Sequence, residues 1–332
     1  MGPFPIVLAW IIVDVILFAA AVGIVWYIVK REPHPASRLI ELAAMTFLYA
    51  GVYENLATWF GWYAYGPSLL MYGNVPVAVL LYEAIVFYAG LRLMEKLRIP
   101  AWLRPLGAGC LAVIQDFAVD LVATSTYADV PGLGTTAHWT FHVPTAGVEI
   151  YGEPVMNFTS WMFLVGVFAA FTTIGRAWHR RSGYRTWVGI VYPLLAVIAS
   201  LACLVSPLSK LTLFATLGDP TKLAWPDPNP GQWVLLGLAI VVPLALLAFF
   251  WRGRGLRESL SWQRDWPLWT VLAGVPLVHV VVAIASGIWA PLWLIVLAAI
   301  VMLALVGMPY RVARRVVAPA DEAEPDAALG TA

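Results

Sequence analysis

Asp116 and Asp120 stand in the stretch CLAVIQDFAVDLVA, which is otherwise almost entirely apolar. Carboxylates four residues apart lie on one face of an α-helix. The stretch contains no lysine or arginine that could neutralise them, so burial and mutual repulsion would both favour protonated carboxyl groups. A carboxyl group that keeps its proton at neutral pH can act as a general acid. The spacing therefore predicts an acid–base pair on a buried helix face.

Two more carboxylates and an amide are expected at the same level. Glu54 and Glu83 each lie about eight residues from one end of an apolar segment, a depth close to that of the aspartates at about 1.5 Å per residue. Asn157 falls in the first turn of another apolar segment, where it would either cap the helix or point its amide into a cavity. The candidate catalytic residues are Asp116, Asp120, Glu54, Glu83 and Asn157.

Other readings of these acids remain open. They could cross-link helices through hydrogen bonds, or hold a hard cation together with His138 and His142 of the HWTFH stretch. The two histidines lack a second spaced ligand pair, and we expect no metal or other cofactor. Glu41 is expected to pair with Arg38, and Asp14 to serve as a structural hydrogen-bond partner or a functional group.

The elements that must position these residues are membrane helices. The chain has 332 residues, of which 61% are hydrophobic and 12% charged. Apolar runs of about 18 residues or more are membrane-span candidates. The predicted spans are about 4–29, 38–62, 75–94, 105–126, 154–177, 186–206, 232–251, 267–288 and 290–309. The predicted fold is an all-α, polytopic helix bundle.

The basic residues give this bundle an orientation. All of them except Lys210 and Lys222 fall in alternate loops or in the tail. The positive-inside rule then places the N-terminus outside and the C-terminus in the cytoplasm. We expect a multi-pass protein of a bacterial or archaeal inner membrane, with an oligomeric state that the sequence leaves open. A net charge of +1 gives no reason to expect nucleic acid as a partner.

Three regions follow from this pattern. Residues 1–206 form a catalytic-type membrane bundle, 207–309 add further spans, and 310–332 form an acidic, disordered cytoplasmic tail. Glu149 and Glu153 flank a Tyr-Gly turn before the fifth span and are expected on a solvated rim. Aromatic rings near the acids could stabilise a cation in an apolar cavity. The candidate substrate-binding residues are Tyr63, Tyr65, Trp139, Tyr151, Phe158 and Trp161.

The order of these motifs resembles a known family. The run GWYAYGPSLLMYGNVPV, then QDFAVD, then HW and GVEIYGEPVMNFTSW are similar to the membrane-integral carotenoid biosynthesis proteins, which include carotenoid 1,2-hydratases of the bisanhydrobacterioruberin and γ-carotene type. The resemblance covers about residues 40–165. The chain departs from the family pattern at Leu121, where proline is usual, at Ser160, where glycine is frequent, and at Glu83.

The resemblance implies hydration of a terminal isoprenoid double bond in a carotenoid or related polyene, with water as co-substrate and without a cofactor. One aspartate would protonate the alkene, and its partner would accept a proton from the adding water. Glu54 or Glu83 would hold a shared proton or position water with Asn157. Three alternatives stay open: a Mg²⁺-dependent membrane prenyltransferase or other isoprenoid-modifying enzyme, a proton-coupled transporter, and a lipid-binding protein.

Overall fold

The computed structural model describes residues 7–130, 134–206, 227–252 and 255–313 and is mostly helical. Eight of its helical segments are long and apolar enough to cross a membrane. Seven of them are single helices: α1 (Leu8–Arg31), α4 (Val77–Lys96), α5 (Leu103–Ser125), α6 (Val155–Arg181), α7 (Thr186–Val205), α8 (Gly231–Trp251) and α11 (Leu292–Ala313). The eighth consists of α9 (Trp266–Trp269) and α10 (Val275–Ala285), which are joined by a π-helical stretch (Thr270–Gly274). They coincide with eight of the nine predicted spans.

The remaining predicted span, 38–62, is a helix in three parts. It consists of α2 (Pro35–Ala43), a π-helical stretch (Ala44–Ala50) and α3 (Gly51–Trp59), which follow one another without a break. Pro35 suits the start because the first helical position needs no backbone N–H. π-Helical turns inside α-helices are rare and are frequent near functional sites. Here the π-helical stretch leads directly into the turn that carries Glu54.

α5 is the central helix of the bundle. It packs most extensively against α6 and also contacts α4, α8 and α11, and it is buried along nearly its whole length. At Gly109, α5 lies close to the backbone of α6, because a Cβ there would lie 3.0 Å from the carbonyl oxygen of Met162 and 3.3 Å from the Cα of Gly166. The central position of α5 explains why carboxylates on this helix are shielded from both lipid and water.

One end of the bundle, the charged end, is held by buried ion pairs between helix termini. Arg176 of α6 bonds Glu41 of α2, with Nε at 2.9 Å from Oε1, and also Glu95 of α4 at 2.8 Å. Arg38 pairs with Glu41 at 2.6 Å, as the sequence predicted. Further pairs on this end join Arg92 to Glu32 and Glu258, and Lys96 to Asp265. The termini that bear the basic loops therefore lie on one end.

The opposite end, the hairpin end, carries short antiparallel strand pairs that the all-α prediction did not include. They are β1 (Tyr63–Tyr65) with β6 (Trp139–Phe141), β2 (Met71–Tyr72) with β3 (Val75–Pro76), β4 (Tyr127–Val130) with β5 (Gly134–Ala137), and β7 (Glu149–Ile150) with β8 (Glu153–Pro154). Tyr151 and Gly152 join β7 to β8 with positive φ values of 54° and 87°. Positive φ at both central residues is the requirement of a type I′ hairpin turn.

The predicted C-terminal tail adjoins α11. It was expected to begin at residue 310, whereas α11 continues through Ala313. Residues 314–332, and residues 207–226 of the long loop before α8, lie outside the described residues.

Candidate active site

The predicted aspartate pair lies in the hairpin half of α5. Asp116 is fully buried and Asp120 is 4% exposed. Neither carboxyl oxygen of Asp116 receives a hydrogen bond from a donor group of the described residues. One carboxyl oxygen of Asp120 lies within 4.8 Å of one oxygen of Asp116. Two carboxyl groups can hydrogen-bond to each other directly only if one of them carries a proton.

Asn157 reaches into this site from the first turn of α6. Its side-chain amide donates to Oδ2 of Asp120 at 3.1 Å and to Oε1 of Glu153 at 2.7 Å. Helix α6 begins directly after Pro154, and the side chain of Asn157 makes no capping bond. Asn157 therefore does not cap the helix, and its amide points inward toward the buried acids.

Glu153 is the residue that the sequence prediction misplaced. It was expected on a solvated rim, but its side chain is fully buried and its Oε2 atom has no hydrogen-bond partner. The reason is the tight turn at Tyr151 and Gly152, which folds β8 back over the bundle. Burial, followed by the nearby charge of Asp120, raises the pKa of Glu153 well above its usual value. Glu149, on the facing strand, is half-buried.

Asp116, Asp120 and Glu153 form a group that we call the carboxyl triad. One oxygen of each lies within 4.8 Å of the others, and all three side chains are buried. Oxygen atoms at this spacing could surround a small hard cation or a water molecule. His138 and His142, which the sequence suggested as further metal ligands, do not belong to the triad. Among the described residues, no triad member forms an ion pair with lysine or arginine.

Glu54 and Glu83 lie next to the triad and next to each other, and both interact electrostatically with Asp120. Glu54 accepts hydrogen bonds from the hydroxyls of Tyr63 at 2.8 Å and Tyr65 at 2.6 Å. Burial, with the nearby charge of Glu54, raises the pKa of both tyrosines, so that they remain protonated donors. Glu83 accepts a bond from the hydroxyl of Tyr53, which the sequence reasoning had not assigned.

Of the six predicted substrate-binding aromatic residues, Tyr63 and Tyr65 contact Glu54 directly, and Trp139, Phe158 and Trp161 are buried. Tyr63 and Tyr65 pack against Trp139 with ring centroids 5.3 and 5.6 Å apart. On the other side, Phe158 stacks on Phe117 at 4.3 Å, and Trp161 contacts the ring of Tyr82 at 5.5 Å. The sixth, Tyr151, is 44% exposed at the hairpin turn, and its hydroxyl accepts a bond from the indole of Trp293 at 2.7 Å.

A second buried polar group includes Asp14 of α1. Asp14 accepts hydrogen bonds from the Ser68 hydroxyl at 2.5 Å and from the Leu69 amide at 3.2 Å, which fits the expected structural role. His138 stacks on Trp10 with ring centroids 5.1 Å apart. Burial lowers the pKa of His138 to about 4, although the charge of Asp14 acts in the opposite direction.

Comparison with known proteins adds no relative: no family model, no curated protein and no solved structure matches this chain.

Proposed function

We propose that this protein is a membrane enzyme that adds water across a terminal isoprenoid double bond of a carotenoid or related polyene, by acid–base catalysis without a cofactor. The observation that carries the proposal is the pairing of Asp116 and Asp120 at the centre of the bundle. Both are buried, and the described residues supply no cation to neutralise them. Such a pair retains a proton in an apolar environment, which alkene protonation requires.

The hydrogen bonds distinguish the two aspartates. Asp120 receives the amide of Asn157, and a bond donated to a carboxylate stabilises its ionised form. Asp116 receives no such donor and lies against Asp120. Asp116 is therefore the group that holds the proton and delivers it to the alkene, and Asp120 keeps that carboxyl group in place.

Protonation of a terminal isoprenoid alkene produces a tertiary carbocation, which the site must stabilise. We assign that stabilisation to the negative charge of Asp120 and to the buried aromatic rings of Trp161 and Phe158, in a region of low dielectric. The tyrosines around Glu54 and Glu83 keep those carboxyl groups hydrogen-bonded, so that they can hold a proton or orient water.

The proposed setting is a bacterial or archaeal inner membrane crossed nine times, with α2 and α3 together forming the second span. The charged end then faces the cytoplasm, because basic loops are retained there. The N-terminus and the carboxyl triad lie toward the outside. A polyene dissolves in the hydrocarbon layer and would approach the site from within the membrane. Water is the second reactant.

The carboxyl triad favours one second candidate, a Mg²⁺-dependent prenyltransferase, because three carboxylate oxygens within 4.8 Å could bind a divalent cation. A diphosphate substrate would also need basic side chains near that cation. Among the described residues, none pairs with the triad. We therefore rank hydration first; removal of Mg²⁺ would abolish activity only in the second case.

The direct test is expression of the chain in a host that makes lycopene or a related acyclic polyene, followed by mass spectrometry of the lipid extract. The expected product is heavier than the polyene by one water. Asp116→Asn and Asp120→Asn should each lose this product while the protein still reaches the membrane. Full hydration by both variants would disprove the acid assignment. Bound but unchanged polyene, or pH-driven uptake without conversion, would instead support a lipid-binding protein or a transporter.

A further inference from the structure

Glu153 is the one member of the carboxyl triad to which neither the sequence pattern nor the family resemblance gives a role. The resemblance assigns the residues on either side of it, Gly152 and Pro154. In the structure, however, Glu153 is as deeply buried as Asp116, and its Oε1 atom is fixed by the amide of Asn157 at 2.7 Å. A glutamate in a surface hairpin would normally remain in water, so its burial against two other acids calls for a physical reason.

The two carboxylate groups nearest Asp116 differ in how many hydrogen bonds they already make. Asp120 accepts from Asn157 through Oδ2, and neither of its carboxyl oxygens is a buried atom without a partner. Glu153 accepts from Asn157 through Oε1 alone, whereas its Oε2 atom is buried and has no partner. Of these two groups, Glu153 therefore has the free oxygen that can accept a proton from a further molecule.

The triad also has room for that molecule. Three oxygens that lie within 4.8 Å of one another can all contact a single central oxygen atom at about 2.8 Å, a normal hydrogen-bond length. Buried waters typically make about three hydrogen bonds to polar groups that would otherwise be unsatisfied. The unpartnered oxygens of Asp116 and Glu153 meet that condition.

We propose that Glu153 is the general base of this site, the residue that takes the proton from the water that adds to the alkene. This assignment rests on the proposed hydration. The proton of Asp116 forms the new C–H bond with the π electrons of the alkene, which leaves a tertiary carbocation. The water oxygen forms the C–O bond and its proton passes to Oε2 of Glu153. The next water carries that proton from Glu153 back to Asp116, so one water is consumed in each turnover.

The charges around Glu153 suit this role. The groups that face it are Asp116 and Asp120 on α5 and the amide of Asn157 on α6, and its strand partner Ile150 is apolar. Burial and the negative charge of Asp120 raise its pKa, which brings a carboxylate base closer to the pH at which it works.

The experiment separates carbocation formation from capture by water. Purified protein in detergent is incubated in D₂O with an acyclic polyene, and deuterium in the recovered polyene is measured alongside the hydrated product. Glu153→Gln keeps the size of the side chain and a carbonyl oxygen for Asn157. We expect it to lower hydration about 100-fold, the range of a lost general base. Deuterium exchange into the polyene should persist, because Asp116 still forms a cation that returns to alkene.

Two controls make the result specific. Glu149→Gln changes the same chemical group on the facing strand of the hairpin. It should leave both the rate of hydration and the deuterium exchange into the polyene unchanged. Glu153→Asp, which restores a carboxylate, should recover part of the hydration and thereby exclude simple misfolding of the hairpin. The proposal is overturned if Glu153→Gln hydrates at the wild-type rate, or if it loses exchange and hydration equally. Wild-type protein that shows neither exchange nor hydration would instead overturn the proposed function itself.

Discussion

The side-chain amide of Asn157 donates to Oδ2 of Asp120 across 3.1 Å, and this bond joins the first turn of α6 to the hairpin half of α5. The bond crosses the most extensive helix–helix contact in the bundle. Because the same nitrogen also binds Glu153, one amide sets the orientation of two of the three carboxyl groups of the triad. The chemistry proposed for the site therefore depends on a residue that does not titrate.

Replacement of Asn157 by leucine should consequently impair hydration without loss of the fold. The leucine fills a similar volume but leaves Asp120 and Glu153 without their shared donor. We expect the rate of product formation to fall about 100-fold, as is usual when one preorganised donor is removed from an active site. The measurement is the yield of hydrated polyene per amount of membrane protein. Ser160→Ala, on the next turn of α6, is the matched control, since its hydroxyl bonds only the Asn157 carbonyl. Wild-type activity in Asn157→Leu would contradict this role.

The buried pair of Arg176 and Glu41 should dominate the stability of the charged end. Among the described residues, Glu41→Gln leaves the buried guanidinium of Arg176 with Glu95 as its one remaining charged partner. Breaking one side of a buried ion pair typically lowers the free energy of unfolding by about 3–5 kcal/mol. Thermal unfolding in detergent would show this loss. Glu258→Gln removes a half-exposed partner of Arg92 and should cost less than about 1 kcal/mol. Equal effects of the two substitutions would argue against the prediction.

His138 should make the protein less stable in mild acid. Its pKa in the folded state is about 4, below the ordinary 6.5, so the unfolded chain binds more protons between these two values. Stability is therefore complete above about pH 6.5 and declines as the pH falls toward 4, by about 3 kcal/mol in all.

The measurement for His138 is the unfolding temperature as a function of pH. His138→Gln should remove most of the acid dependence between pH 6.5 and 4. His142→Gln is the matched control, since that neighbouring histidine is exposed. Identical pH curves for wild type and His138→Gln would refute the assignment.

The proposed orientation can be tested by labelling single cysteines in intact cells. In a background without Cys110 and Cys203, a cysteine at Thr135 in β5 should react with a membrane-impermeant thiol reagent from outside. A cysteine at Arg185, between α6 and α7, should react only after the cells are opened. Both native side chains are exposed, so access differs only by side of the membrane. The reverse pattern would show that the protein is inserted the other way.

The helices were predictable because the length of an apolar run decides them. The predicted span 105–126 and the observed α5, Leu103–Ser125, differ by two residues at one end and one at the other. α6 runs to Arg181, past the predicted end at 177, because basic side chains are favourable in the last turn of a helix. The strand pairs escaped prediction, since segments of two to four residues are too short to show alternation.

Asp116 and Asp120 were predictable because acidic residues in an apolar stretch indicate chemistry, and because a spacing of four residues places them on one helix face. It was not predictable for Glu153, because glutamate between a glycine and a proline has the composition of an exposed turn. A usable signal was present: Glu153 stands four residues before Asn157, the distance at which side chains meet along a helix. The pairing of Arg176 with Glu41 needed knowledge of which helices are neighbours, and no local pattern supplies that.

The ion pairs of the charged end also determine where this bundle can move. They connect the ends of α2, α4 and α6 through Glu41, Glu95 and Arg176, so these helices are fixed relative to one another on that side. At the hairpin end, the turn at Tyr151 is tied to α11 by a side-chain bond to Trp293. A long, rigid substrate that enters from the side would therefore have to separate the helices at the hairpin end while the charged end stays fixed. The hydrogen bond between Trp293 and Tyr151 would have to break for this to happen.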